Sequence, residues 1–167
     1  MKISYINSAC LQIETSGKVI LTDPWFTDGA FNGSWHKIKD IDPFAYVKDP
    51  DIVYISHIHP DHYDERFFNF KKDVPIIILD EGPNFLKRKL LSKGYSNLIE
   101  IKNGETKKFK EFEFTIYKPF ASHIYEESFI GNLIDSAIVF KNDGYTAINF
   151  NDNTPTLKSC EVLKKKF

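Results

Sequence analysis

The stretch Ile52-Val53-Tyr54-Ile55-Ser56-His57-Ile58-His59-Pro60-Asp61-His62-Tyr63-Asp64 constrains this chain more than any other. Its first part is a short, apolar, β-branched run, the pattern of a buried strand. The strand then stops at three histidines and an aspartate packed between His57 and His62. The whole chain holds only five histidines, so the density is informative. Imidazole and carboxylate together, with no thiolate nearby, suit Zn, Fe or Mn.

The spacing has a physical reason. His57 and His59 stand two apart, so on extended backbone both rings point to one side and can share a metal. Pro60 ends the strand and favours a turn. Asp61 and His62 are adjacent, so their side chains diverge from the first pair and can hold a second metal close by. A solvated polar loop is the plain alternative, and the density of ligand types at workable spacing argues against it.

The pattern His-x-His-x-Asp-His after a hydrophobic strand, filled here by His57, His59, Asp61 and His62, resembles the metallo-β-lactamase superfamily. The resemblance runs from about Ile3 to Asp152. It implies an α/β fold, a four-layer αββα sandwich of two mixed β-sheets with helices outside. It also implies that His123, past a strand end in the second half, is the third ligand of the first metal. Asp152, after the run Thr146 to Phe150, would be the bridging carboxylate. That aspartate is usually preceded by glycine; here Asn151 must make the turn, and asparagine tolerates unusual dihedrals. Asp23, after an early strand, matches an aspartate that buttresses the metal-binding loop, although Asp before Pro is also an ordinary turn former.

The order of elements agrees with that fold. Residues 2–6, 10–14 and 18–22 read as three short strands with tight turns, an antiparallel meander. Residues 26–50 are rich in Gly, Asn and Ser but carry Phe26, Phe31 and Trp35, with Trp25 just before them, which reads as an ordered loop over the metal site. Trp25, Trp35 and His36 are its candidate substrate contacts. A short helix is expected over 63–70, a buried strand over 74–79, a helix over 83–93 stopped by Gly94, and a strand over 98–101. Strands at 106–109, 112–117, 136–140 and 146–150 make a second antiparallel region, with Asn142-Asp143-Gly144 as a hairpin turn. Thr154 and Pro155 read as the start of a final helix.

At 167 residues the chain reads as one domain. The superfamily usually adds a last histidine for the second metal, yet none follows His123. Its last strands and helix are also lacking from the pattern. Either the chain is an incomplete piece of a longer protein, or the second site is incomplete by design. The open edge would be covered by the missing segment or by a second copy. A net charge of −1 gives no field for nucleic acid or anionic membranes. No apolar run reaches a membrane span, no signal-peptide pattern opens the chain, and two cysteines make no disulfide framework, so a cytoplasmic protein with a small-molecule substrate is expected.

The resemblance implies a hydrolase that activates water on one or two Zn²⁺ ions, with Asp61 orienting the nucleophile or taking its proton, on a small ester, lactone or phosphodiester. The phrases Asp23-Pro24-Trp25-Phe26 and Gly29-Ala30-Phe31-Asn32 are similar, more narrowly, to the branch of ascorbate-6-phosphate lactonase-like hydrolases and CMP-N-acetylneuraminate hydroxylases. The hydroxylases imply iron and oxygen chemistry on a nucleotide sugar. They also carry a Rieske domain, and no Cys-x-His pair for such a cluster occurs here. A third reading is a metal-stabilised binding module without catalysis.

Overall fold

A computed structural model describes residues 1–37, 42, 47–66, 68–118 and 135–167. Two compact units emerge, one of Met1–Ile78 and Phe85–Ile99, the other of Leu79–Asn84 and Glu100–Phe167.

The first unit is built on a mixed sheet. Strands β1 (Lys2–Asn7), β2 (Cys10–Thr15) and β3 (Lys18–Thr22) form the meander, with Ile3 opposite Ile13 and Ile13 opposite Ile20. The β2–β3 turn uses Ser16 and Gly17 at φ 50° and 72°, the left-handed pair that a tight hairpin requires. Beyond β3 the direction changes. β4 (Ile52–Tyr54) lies parallel to β3, and β5 (Ile76–Leu79) parallel to β4. β6 (Leu98–Ile101) completes the order β1-β2-β3-β4-β5-β6, and the ends of β5 and β6 pass into the second unit. Every residue of β4 and β5 is buried, as expected of parallel strands covered on both faces.

One core cluster gathers Val53, Ile55, Tyr63, Phe68, Ile76, Ile78, Leu86, Leu90 and Tyr95. The segment Ala30–Gly33, α1, is a single distorted turn, with Phe31 and Asn32 in left-handed conformation. Helix α2 (Phe85–Ser92) supplies Leu86 and Leu90 four residues apart on its inner face. It ends in a Schellman motif: Tyr95 N–H donates to Leu90 O, Gly94 N–H to Leu91 O, and Gly94 has φ 83°.

The helix expected over 63–70 does not form among the described residues; 61–66 are turns and 68–70 carry no regular structure. The reason is mostly tertiary. The Asp64 side chain takes up the backbone N–H groups of Phe26, Thr27 and Arg66, which competes with helix formation.

In the second unit β7 (Thr106–Phe109), β8 (Phe112–Tyr117), β9 (Ala137–Asn142) and β10 (Tyr145–Asn149) form a wholly antiparallel sheet in the order β10-β9-β8-β7. Asp143 and Gly144, at φ 49° and 76°, make the two-residue turn between Asn142 and Tyr145. Phe112, Phe114 and Phe140 are buried in this unit, Phe114 edge-on to Phe140. Helix α3 (Leu157–Lys166) is capped by Thr156, whose Oγ1 accepts from Ser159 N–H, and not by Thr154 as the sequence suggests.

Candidate metal centre

β4 delivers the site. Tyr54 O accepts from Asp23 N–H and Ile55 N–H donates to Ile77 O, so the strand's end is held by both neighbours. The chain then turns at Pro60, and His59 O accepts from both His62 N–H and Tyr63 N–H, at 3.0 and 2.8 Å. That single helical turn brings His62 back beside His57, with ring centroids 4.1 Å apart.

Behind the rings lies a buried polar pair. Asp23 is fully buried at φ 39°, and its Oδ1 accepts the backbone N–H and the hydroxyl of Ser56. Ser56 Oγ also lies 3.0 Å from His57 Nδ1 and 3.2 Å from His62 Nδ1. A hydroxyl has one proton and two lone pairs. Once it donates to Asp23, it accepts from both imidazoles, which fixes each as the Nδ1–H tautomer with its Nε2 lone pair facing forward. Burial pushes the Asp23 carboxyl above the usual range, against the opposing pull of His62 and Ser56.

At the front, His57 Nε2 and His59 Nδ1 approach to 2.9 Å, and His62 Nε2 stands 3.4 Å from Asp61 Oδ2. His57, Asp61 and His62 are buried, and His59 is partly exposed. With the His57 Nε2 lone pair facing forward, the contact between His57 and His59 requires a proton on His59 Nδ1. A cation can take its place once His59 carries its proton on Nε2. The donor set is imidazole and carboxylate, which fits Zn, Fe or Mn.

The loop from 26 to 37 packs beside the ligands. Phe31 packs T-shaped with His59, centroids 5.6 Å apart, and tilts against Trp35 at 5.1 Å. His36 Nδ1 pairs with Asp28 Oδ2 at 2.7 Å, and both groups are exposed. The Asp28 carboxylate raises the His36 pKa, and His36 in turn lowers that of Asp28 to about 2. Trp25 differs from Trp35 and His36. It is only 4% exposed, with its Nε1–H donating to Thr27 O.

Asp152 sits exposed in the second unit, on the turn after β10, and Asn151 before it has φ 53°, the left-handed turn expected in place of glycine. His123 lies outside the described residues. Ser56 and Asp64 join the site beyond the residues expected from the sequence. Ser56 is visible as the residue before the first histidine, whereas the partners of Asp64 are remote in sequence.

The chain matches the Beta-lactamase superfamily domain over residues 2–145 and belongs to that family. It is 30% identical over 94 residues to a cytidine monophosphate-N-acetylneuraminic acid hydroxylase of Asterias rubens, a match covering 52% of this chain and 14% of that protein. The chain thus spans a small part of the length of such relatives. A Veillonella parvula protein, described as a possible metal-dependent hydrolase, superposes with TM-score 0.76 at 17% identity, over 99% of this chain and 67% of that one. The diiron β-hydroxylase CmlA of Streptomyces venezuelae superposes with TM-score 0.67 at 18% identity, over 96% and 32%. The fold is therefore that of the metallo-β-lactamases. No helix among the described residues is long and apolar enough to cross a membrane.

Proposed function

We propose that this chain is a metal-dependent hydrolase domain acting on a small ester, lactone or phosphodiester. The observation that carries the reading is the pair of facing nitrogens, His57 Nε2 and His59 Nδ1, backed by a hydroxyl–carboxylate network that orients His57 and His62. His57 and His59 would hold the first ion, with His123 and Asp152 completing its set. Asp61 and His62 would hold a second. A bound Zn²⁺ lowers the pKa of a coordinated water toward neutrality and polarises the scissile carbonyl or phosphoryl group. Asp61 orients the nucleophile and accepts its proton. Ser56 and Asp23 keep the imidazoles aimed and absorb the charge they gain. Trp35 and His36 contact the substrate from the loop.

A second reading is favoured by the hydroxylase relative and the diiron neighbour. In it the same donors hold iron and the chain is the metal domain of an oxygenase acting on a nucleotide sugar. Elemental analysis of protein produced without added metal separates the two. Zinc with turnover of model esters, lost in His57→Ala and His59→Ala, supports the hydrolase. Iron with a visible absorption band supports the oxygenase. Ligand binding without any turnover leaves a binding module and removes both.

A further inference from the structure

Asp64, just after this turn, ties it to a segment nearly forty residues earlier in the chain. It is 1% exposed. Its Oδ2 accepts from Phe26 N–H at 3.2 Å and Thr27 N–H at 2.6 Å. Its Oδ1 accepts from Arg66 N–H and Nε–H, both at 3.3 Å. The Arg66 guanidinium then continues outward, donating to Thr27 O at 2.8 Å and Asp28 O at 2.9 Å. Thr27 is thus held at both ends of its backbone: its N–H by Asp64 and its C=O by Arg66. Lys37 Nζ donates to Phe26 O at 2.8 Å and closes the base of the same loop.

What the clamp holds is strained. Phe31 sits at φ 50°, ψ 54°, and Asn32 follows at φ 57°. A bulky residue in the left-handed region is costly and persists only where its surroundings over-determine it. In that conformation the Phe31 ring packs T-shaped with His59. His57 and His62 are oriented from behind by Ser56, whereas His59 stands farther out, against Phe31.

From this geometry we infer that Asp64, through Arg66 and Thr27, is a positioning residue for His59: it anchors the loop whose Phe31 sets the angle of that imidazole. The inference rests on His59 being a metal ligand, and one of its two readouts does not depend on metal. Asp64→Asn keeps the shape but puts an amide where one carboxylate oxygen accepts, so the Phe26 and Thr27 N–H groups, or Arg66, lose their acceptor.

The experiment labels the histidine Cε1 positions and follows them by NMR in metal-free protein. In Asp64→Asn the His59 signal should move toward its position in Phe31→Leu, His57 should follow by less through its 2.9 Å contact with His59, and His62 should stay in place. Zinc alone, titrated in competition with a chromophoric chelator, should bind about 10-fold more weakly, the low end of the range for groups that bond a ligand directly, since Asp64 acts through the loop. Leu90→Ala, a core change in α2, should lower stability without moving either readout. If Asp64→Asn fails to fold, Arg66→Met keeps the buried carboxylate and should shift His59 in the same direction. An unmoved His59 signal overturns the inference, and so does unchanged zinc affinity with a moved signal, or an equal affinity loss in Leu90→Ala. Should the unaltered protein bind no zinc, the zinc-hydrolase reading fails, and the histidine signals alone decide whether Asp64 positions His59.

Discussion

Asp23 Oδ1 accepts both the backbone N–H and the hydroxyl of Ser56, at 2.7 and 3.0 Å. This one relationship welds the end of β3 to the end of β4 and turns Ser56 into an acceptor for two imidazoles. Ser56→Ala should leave the backbone bond intact yet remove the hydroxyl that fixes the tautomers of His57 and His62. Zinc affinity should then fall by about one to two orders of magnitude, with a far smaller change in thermal stability. Chelator competition and a melting curve on the same sample give both numbers. Affinity equal to that of the unaltered protein would show that the hydroxyl does not set the tautomers.

The exposed pair of His36 and Asp28 gives a pH prediction with a definite sign. His36 is raised above its ordinary value of 6.5 and Asp28 is lowered from 3.8 to about 2. The His36 contribution to stability is complete below pH 6.5 and fades as pH rises through its folded value. The Asp28 contribution is complete above pH 3.8 and fades as pH falls through about 2. The pair is therefore fully formed between those limits, and salt should weaken it. An NMR titration should place the His36 midpoint above 6.5, and Asp28→Asn should return it toward 6.5. A midpoint unchanged by Asp28→Asn would refute the pairing.

Much of this architecture can be read in the chain because its signals are local. β-branched runs, the Asn-Asp-Gly turn and the Leu86, Leu90, Gly94 pattern each depend on residues a few positions apart. The cluster from His57 to His62 is equally local, and so its forward-facing nitrogens were foreseeable. Asp64 was not, because its value lies in bonds to Phe26 and Thr27, some 37 to 38 positions away. The same bonds removed the helix expected after the motif. The inward packing of Trp25 is hidden in the sequence for a related reason. Its neighbours in sequence form an aromatic loop, but its carbonyl accepts from Asn7 Nδ2, and its indole turns inward.

The two cysteines should separate cleanly by reactivity. Cys10 is completely buried in a cluster with Leu21 and Phe26, and burial, aided by the Asp23 charge, raises its thiol pKa well above the ordinary value. Thiolate is the reactive form, so Cys10 should be inert in the folded chain. Cys160 is exposed on α3. A disulfide reagent added to native protein should titrate one thiol quickly, and a second only after denaturant. Cys160→Ser should abolish the fast phase. Two fast thiols would mean that the β2–β3 core opens readily.

The final helix tests which threonine starts it. Thr154 and Thr156 both precede an apolar stripe, but only Thr156 has its side chain on Ser159 N–H, at 3.1 Å. Leu157 and Val162 are 86% and 56% exposed, which leaves Leu163 as the buried anchor of α3. With so little packing, the cap carries a large share of the helix's stability. Thr156→Ala should cost about 1 kcal/mol, while Thr154→Ala should stay within about 0.5 kcal/mol of zero. Because short helices fray from uncapped ends, the local readout is sharper than a global melt. Hydrogen exchange at the Ser159 and Cys160 amides, which bond to the Thr156 side chain and carbonyl, should accelerate in Thr156→Ala and stay unchanged in Thr154→Ala. Faster exchange in Thr154→Ala instead would place the start of the helix two residues earlier.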